Sequence, residues 1–174
     1  MIAFAPFMSS QPLQDLSRTY IEGFEFAREG RRLEGEIPLS NLERLADRVL
    51  DQAGALHCRI DGESGRQGNF LQLDIGGILN LRCERCLEAM SFQLDVKNRL
   101  RLMRPGEEWP EDELEDDAAD AIEAGRELLV LPLIEEEVLL ALPLAPRHEV
   151  CSGVAAVEKD QASSPFSVLA KLKK

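Results

Sequence analysis

Two cysteines three positions apart, in Cys83-Glu84-Arg85-Cys86, are the most specific chemical feature of this chain of 174 residues. Thiols at that spacing suit two jobs: chelating one metal ion from a tight turn, or cycling between dithiol and disulfide. The redox version normally sits between a strand and the start of a helix. Here the pair lies between two stretches of alternating hydrophobicity, at what reads as a hairpin tip, and that placement favours a zinc-knuckle-like turn. A closed zinc site needs two more ligands. His148 and Cys151 supply them from a proline-bounded loop just beyond a helix. Cys83, Cys86, His148 and Cys151 would make a tetrahedral set with no position left for water, so the metal would be structural rather than catalytic. The two halves are far apart in sequence, and the alternatives are free thiols in a reducing cytosol or a regulated disulfide. Cys58 falls on the buried face of a strand and reads as core. His57 points to the opposite face and reads as solvated.

The second feature is cationic. Lys97, Arg99 and Arg101 share one face of the clearest strand, with Arg82, Arg85 and Arg104 near in sequence. Cations on a strand face can meet phosphates, so these three are the candidate RNA contacts, set against the plainer reading of a solvated sheet face. Interleaved aromatics for base stacking are missing, which weakens the case for single-strand recognition. Catalytic signatures are also missing from the sequence: no Walker or dinucleotide glycine loop, no Gly-x-Ser-x-Gly elbow, no His-Glu-x-x-His. With two histidines and no base paired to a nucleophile, no catalytic residue is expected.

Period and punctuation indicate the elements that must hold these groups. Residues 1–21 show no convincing period. Ile21 to Arg28 and Arg32 to Ile37 flank a hairpin-like turn at Gly30. Ser40 and Glu43 have capping-box spacing, and Leu42, Leu45, Ala46 and Val49 predict a helix that Gly54 stops. Leu56, Cys58 and Ile60 alternate with polar residues in a half-buried strand. A polar loop, Gly62 to Gly68, precedes a strand through Leu71, Leu73 and Ile75, interrupted at Gly76-Gly77 and resumed from Ile78 to Cys83, or bulged there. Ser91 to Leu102 alternates most cleanly, with Asn98 the intruder on its apolar face. Arg126 to Leu131 reads as a short strand. Pro132 then opens a helix through Leu142, with Glu135, Glu136 and Glu137 early in it, where the helix dipole favours carboxylates. The fold class is α+β: a mostly antiparallel sheet with a few short helices and a long acidic loop. Three parts are expected: a hairpin-like segment over residues 1–38, a core over 39–151 with the acidic loop at 105–125, and a linker with a short amphipathic tail over 152–174.

Composition bounds the function. Hydrophobic residues make up 44% of the chain, enough for a core without disulfides, and aromatics only 5%, so that core is aliphatic. No apolar run approaches the roughly 20 residues of a membrane span, and the apolar N-terminus lacks the basic residues of a secretory signal. A cytoplasmic protein with no membrane partner and no small-molecule substrate is expected. The net charge of −12 disfavours general polyanion binding. Ten acidic and no basic residues fall between Glu107 and Glu123; without them 22 acidic residues face 20 basic ones. The acidity is thus mostly one segment, either a solvated loop or a contact for a basic partner.

Three segments in order carry a resemblance. The turn Arg82-Cys83-Glu84-Arg85-Cys86-Leu87-Glu88, the stretch Leu131 to Pro146 running into Arg147-His148-Glu149-Val150-Cys151, and the closing Pro165 to Lys173 resemble the bacterial YceD family, over about Leu39 to the C-terminus. The resemblance implies a cytoplasmic, non-enzymatic ribosome biogenesis factor needed for 23S rRNA accumulation and large-subunit assembly. Some branches carry more cysteines after the helix, completing a four-cysteine metal site; this chain has Cys151 alone there and offers His148. The charge segregation suggests an adaptor: the acidic loop meeting a ribosomal protein or assembly factor, and the Lys97–Arg101 face or the Lys171–Lys174 tail approaching rRNA. No cofactor is required beyond structural zinc. The rival is a thiol-redox or zinc-dependent protein centred on Cys83 and Cys86.

Overall fold

Strands of period two dominate the folded chain. In a computed structural model that describes residues 14–107 and 119–151, the order is β1 (Tyr20–Ile21), α1 (Gly23–Arg28), β2 (Arg32–Pro38), two single 3-10 turns (Leu39–Asn41 and Glu43–Leu45), β3 (Ala55–Gly65), β4 (Gly68–Arg82), β5 (Ala89–Met103), β6 (Asp120–Glu123), β7 (Leu128–Leu129) and α2 (Val130–Ala141). Strands β2, β3, β4 and β5 pair antiparallel in that order, and β6 joins β5 in parallel. β1 and β7 make a separate antiparallel pair. The fold is α+β and mostly antiparallel.

Register puts one set of aliphatic side chains on a single face. Cys58 stands opposite Ile75, which stands opposite Val96; Gly62 lies opposite Leu71, which lies opposite Leu100. That face joins Leu39, Leu42 and Leu45 of the 3-10 turns, Phe26 of α1, and Val130, Ile134 and Val138 of α2 in one buried cluster. Close approach requires a glycine where α1 crosses the sheet: a side chain on Gly62 would strike the backbone carbonyl of Phe26, so the sheet can carry α1 here only without a Cβ.

Several local expectations change. Gly23–Arg28 is a helix and not a hairpin arm: the Glu22 carboxylate accepts a hydrogen bond from the Glu25 amide at 2.6 Å and caps it. Gly30 still turns the chain, with φ of 60°. The helix expected from Ser40 is two 3-10 turns with no side-chain cap. Leu39, Leu42 and Leu45 recur every third residue and all three are buried, which suits three residues per turn better than 3.6. β3 runs on to Gly65, so the loop at Gly62–Gly68 shrinks to a tight turn with Gly65 opposite Gly68. Gly76-Gly77 does not interrupt β4, and both glycines stay paired to β5. The strand expected at Arg126–Leu131 is Leu128–Leu129 alone, and α2 begins at Val130, two residues before Pro132. Glu135 and Glu137 do not sit at the helix N-terminus. They are buried, one accepting from the Arg44 amide at 2.8 Å and the other from the Asn98 side-chain amide at 2.8 Å. Asn98 is therefore no flaw in β5: its amide also bonds Asp120 at 2.9 Å and ties β6 to α2. Of the acidic loop, Asp120–Glu123 is β6, and residues 108–118 lie outside the described residues.

Candidate metal centre

The turn between β4 and β5 builds the first half of the site. The Cys83 amide donates to the Glu88 carbonyl at 2.9 Å and the Leu87 amide to the Cys83 carbonyl at 2.9 Å, closing a loop just wide enough for two thiols. Leu87 takes a left-handed conformation with φ of 64°, which costs a non-glycine residue on the order of 1 kcal/mol and persists here because the turn over-determines it. The second half comes from the segment after α2. The Glu84 amide donates to the Pro146 carbonyl at 2.8 Å and pins that segment against the turn.

The four donor atoms converge. Cys83 Sγ, Cys86 Sγ, a ring nitrogen of His148 and Cys151 Sγ all lie within 4.8 Å of one another. Cys83 Sγ is 3.7 Å from Cys151 Sγ, and Cys86 Sγ is 3.3 Å from His148 Nδ1. A tetrahedral zinc ion with Zn–S bonds of about 2.3 Å and a Zn–N bond of about 2.0 Å sets S···S edges near 3.8 Å and S···N edges near 3.5 Å. The observed separations fit that ion and are far too long for a disulfide bond of about 2.05 Å. The tautomer also fits. His148 Nε2 lies 3.2 Å from the Ala89 carbonyl, which can only accept, so Nε2 carries the proton and Nδ1 offers its lone pair to a metal.

Burial by itself would push the Cys83 thiol up. Backbone amides of Cys86, His148 and Arg85, the last 3.4 Å from the sulfur, outweigh it and bring Cys83 down to about 5. Cys151 goes the other way, raised by burial and by its neighbours Cys83 and Cys86. A turn that aims amides at one sulfur favours thiolate, the form that ligates metal. Cys58 lies apart from this group in the core, where burial and the nearby Glu36 charge push its thiol to about 12. His57 faces outward, 3.3 Å from Glu34.

The three expected RNA contacts share the outer face of β5; Arg101 lines a cleft at the strand's end, and the other two meet carboxylates. Lys97 Nζ is 3.5 Å from Asp95, and Arg99 is 3.2 Å from Glu63 while its guanidinium stacks 3.8 Å above the Phe70 ring. Arg59 bridges Asp61 and Asp74 on the same face. This face alternates in sign and is not a basic stripe. Phe70, reached only through cross-strand register, is the aromatic that sequence alone did not place there.

Residues 71–173 match the family described as "Large ribosomal RNA subunit accumulation protein YceD". The match runs from near the start of β4 and takes in the turn, β5, α2 and all four donor residues. The chain belongs to the YceD family. It is also similar to the large ribosomal RNA subunit accumulation protein YceD of Haemophilus influenzae, 29% identical over 163 residues, 82% of this chain and 89% of that protein. No solved structure matches. Among the described residues, no helix is long and apolar enough to cross a membrane.

Proposed function

We propose that this YceD-family chain acts in the cytoplasm as a non-enzymatic factor for accumulation of 23S ribosomal RNA, and so for assembly of the large ribosomal subunit. The observation that carries this reading is the family match over residues 71–173, more than half the chain. Cys83, Cys86, His148 and Cys151 hold a structural zinc ion in it. The ion supplies cross-linking: it fastens the β4–β5 turn to the segment after α2. Four protein donors saturate a tetrahedral ion and leave no site for a substrate, which favours a scaffold over a zinc enzyme. A β–turn–β setting likewise disfavours dithiol redox chemistry, which uses a helix N-terminus to poise its thiolate.

The chain works as an adaptor. Its acidic segment, Glu107 to Glu123, meets a basic ribosomal protein or assembly factor, and the end of the sheet carrying Lys97, Arg99 and Arg101 approaches RNA. The charge segregation counted above supports this division. Deleting the gene and measuring the 23S to 16S ratio, with sucrose-gradient profiles of the subunits, tests it. Loss of 23S and of free large subunits, restored by the wild-type chain, is expected. A normal ratio and profile in the deletion strain would overturn the reading. Turnover in a disulfide-reduction assay that vanishes in Cys83→Ser would move the function to redox chemistry.

A further inference from the structure

Four arginines gather beside the end of β5. Two adjoining clefts of about 500 and 430 Å³ share Phe24, Asn69, Arg104 and Pro105 and form a single open groove. Arg28 of α1, Arg101 near the end of β5, Arg104 just past it and Arg126 before β7 line it. Two carboxylates also border the groove, but both serve backbone amides. Glu22 caps α1 through the Glu25 amide, and Glu107 accepts from the Arg104 amide at 2.9 Å. Among the described residues, Arg28, Arg104 and Arg126 make no ion pair, whereas Lys97 and Arg99 on the open sheet face each make one and Arg59 makes two.

The groove also holds what phosphate contacts alone would not need. Phe24 is half-buried, and the Arg104 guanidinium lies 5.7 Å from its ring centroid, so a flat apolar platform is framed by a cation. Asn69 Oδ1 is buried with no hydrogen-bond partner. That oxygen wants a donor; a phosphate has none at neutral pH, while a ribose 2′-hydroxyl or a base amino group has one.

We propose that this groove binds a single-stranded RNA segment, with its arginines on phosphates, a base stacked at Phe24 and Asn69 Oδ1 accepting from a ribose or base donor. A cationic groove combined with an aromatic platform is how single strands are held without a fixed sequence. Arg101 connects it to the RNA side of the adaptor reading, on which the inference rests only for the identity of the RNA.

The test uses the full chain and a fluorescein-labelled mixed-sequence RNA of 12 nucleotides, read by anisotropy across a salt series. Single-strand binding has a log–log salt slope of about −0.7 per phosphate contact. Arg104→Ala with Arg126→Ala removes two exposed contacts, so the slope flattens by about 1.4 and affinity falls about 25-fold at 0.1 M salt. Phe24→Leu keeps an apolar side chain and costs about tenfold with the slope unchanged. Arg44→Ala, whose side chain pairs with Glu136 and does not line the groove, changes affinity less than twofold. Equal affinity of the arginine double variant and wild type overturns the groove. Competition by polyglutamate as strong as by unlabelled RNA, with Phe24→Leu silent, also overturns it and assigns the surface to an acidic protein segment. These variants leave the deletion phenotype of 23S accumulation to be judged separately, so failure of the groove and failure of the biogenesis role give different results.

Discussion

Loss of one metal donor gives a measurable and separable effect. The ion would join Cys86 to His148, 62 residues apart, and so close a long loop. By the chain-entropy relation for a cross-link, closing a loop of that length stabilises the fold by up to about 4 kcal/mol, less to the extent that contacts such as Glu84–Pro146 already hold the segment. For a domain of this size that corresponds to a melting shift of up to roughly 8 to 16 °C. Affinity gives a second magnitude. Structural zinc sites bind with about 10–16 kcal/mol in all, so one of four donors carries roughly 3 kcal/mol, or about two orders of magnitude in Kd. Cys151→Ser and His148→Ala are therefore expected to bind zinc about a hundredfold more weakly and to melt several degrees lower. Both should lose the further drop that a chelator causes in wild type. The assay is metal analysis of tag-free protein purified under reducing conditions, with a competing chromophoric chelator and melts with and without it. Cys58→Ala is the control: it opens a small core cavity and destabilises the fold but leaves zinc stoichiometry at about one per chain. Wild type that takes up no zinc, or Cys151→Ser within twofold of wild-type affinity, would refute the reasoning.

Other outcomes follow from single contacts. Cys58, fully buried with its thiol pushed to about 12, should resist iodoacetamide in the folded protein and react only on unfolding, while the half-buried Cys86 and Cys151 label in metal-free folded protein, as mass spectrometry of the labelled peptides would record. Burial, opposed by the Asn98 hydrogen bond, raises the carboxyl pKa of Glu137 in the folded state. The native state then holds that proton more tightly than the unfolded chain, so its charge costs stability as pH rises through the window between the ordinary and raised values. Glu137→Gln should accordingly gain on the order of 1 kcal/mol at pH 7 and little near pH 4, measured by denaturant melts; a larger gain in acid would contradict this. Gly62→Ala should cost at least about 3 kcal/mol and collapse the circular dichroism melt, because its Cβ meets the Phe26 carbonyl. Leu87→Gly should gain about 0.5–1 kcal/mol by relieving its left-handed backbone.

Strand patterning was legible because its period is local. The alternation of Leu56, Cys58 and Ile60 and of Leu94 and Val96 is written into consecutive residues, and each of these side chains is buried where the pattern puts it. The cysteine turn was legible for the same reason. What failed was governed by partners distant in sequence. Leu39, Leu42 and Leu45 fit either helical period, and burial under the sheet selects the tighter one. Glu135 and Glu137 resemble a helix-dipole pattern until Arg44 and Asn98 are brought to them from other elements. Arg99 on β5 looked unpaired because Glu63 of β3 reaches it only through the pairing of both strands with β4.

The two candidate sites stand at opposite ends of one strand. β5 leaves the cysteine turn at Ala89 and reaches the arginine groove beyond Met103, a span of 15 residues or about 45 Å at the usual rise. At that distance there is no shared contact through which zinc could orient a groove arginine, and substitutions at the two ends should act additively. Zinc loss would then weaken RNA binding only by lowering the folded fraction, an effect that vanishes well below the melting temperature. A metal requirement for RNA binding at low temperature would instead mean that the turn itself touches RNA, and the groove would no longer account for the affinity. The long β5 hairpin has a mechanical reading consistent with an adaptor: a stiff, twisted pair of strands keeps two unlike surfaces apart, one cross-linked and one cationic, so that each can meet a different component.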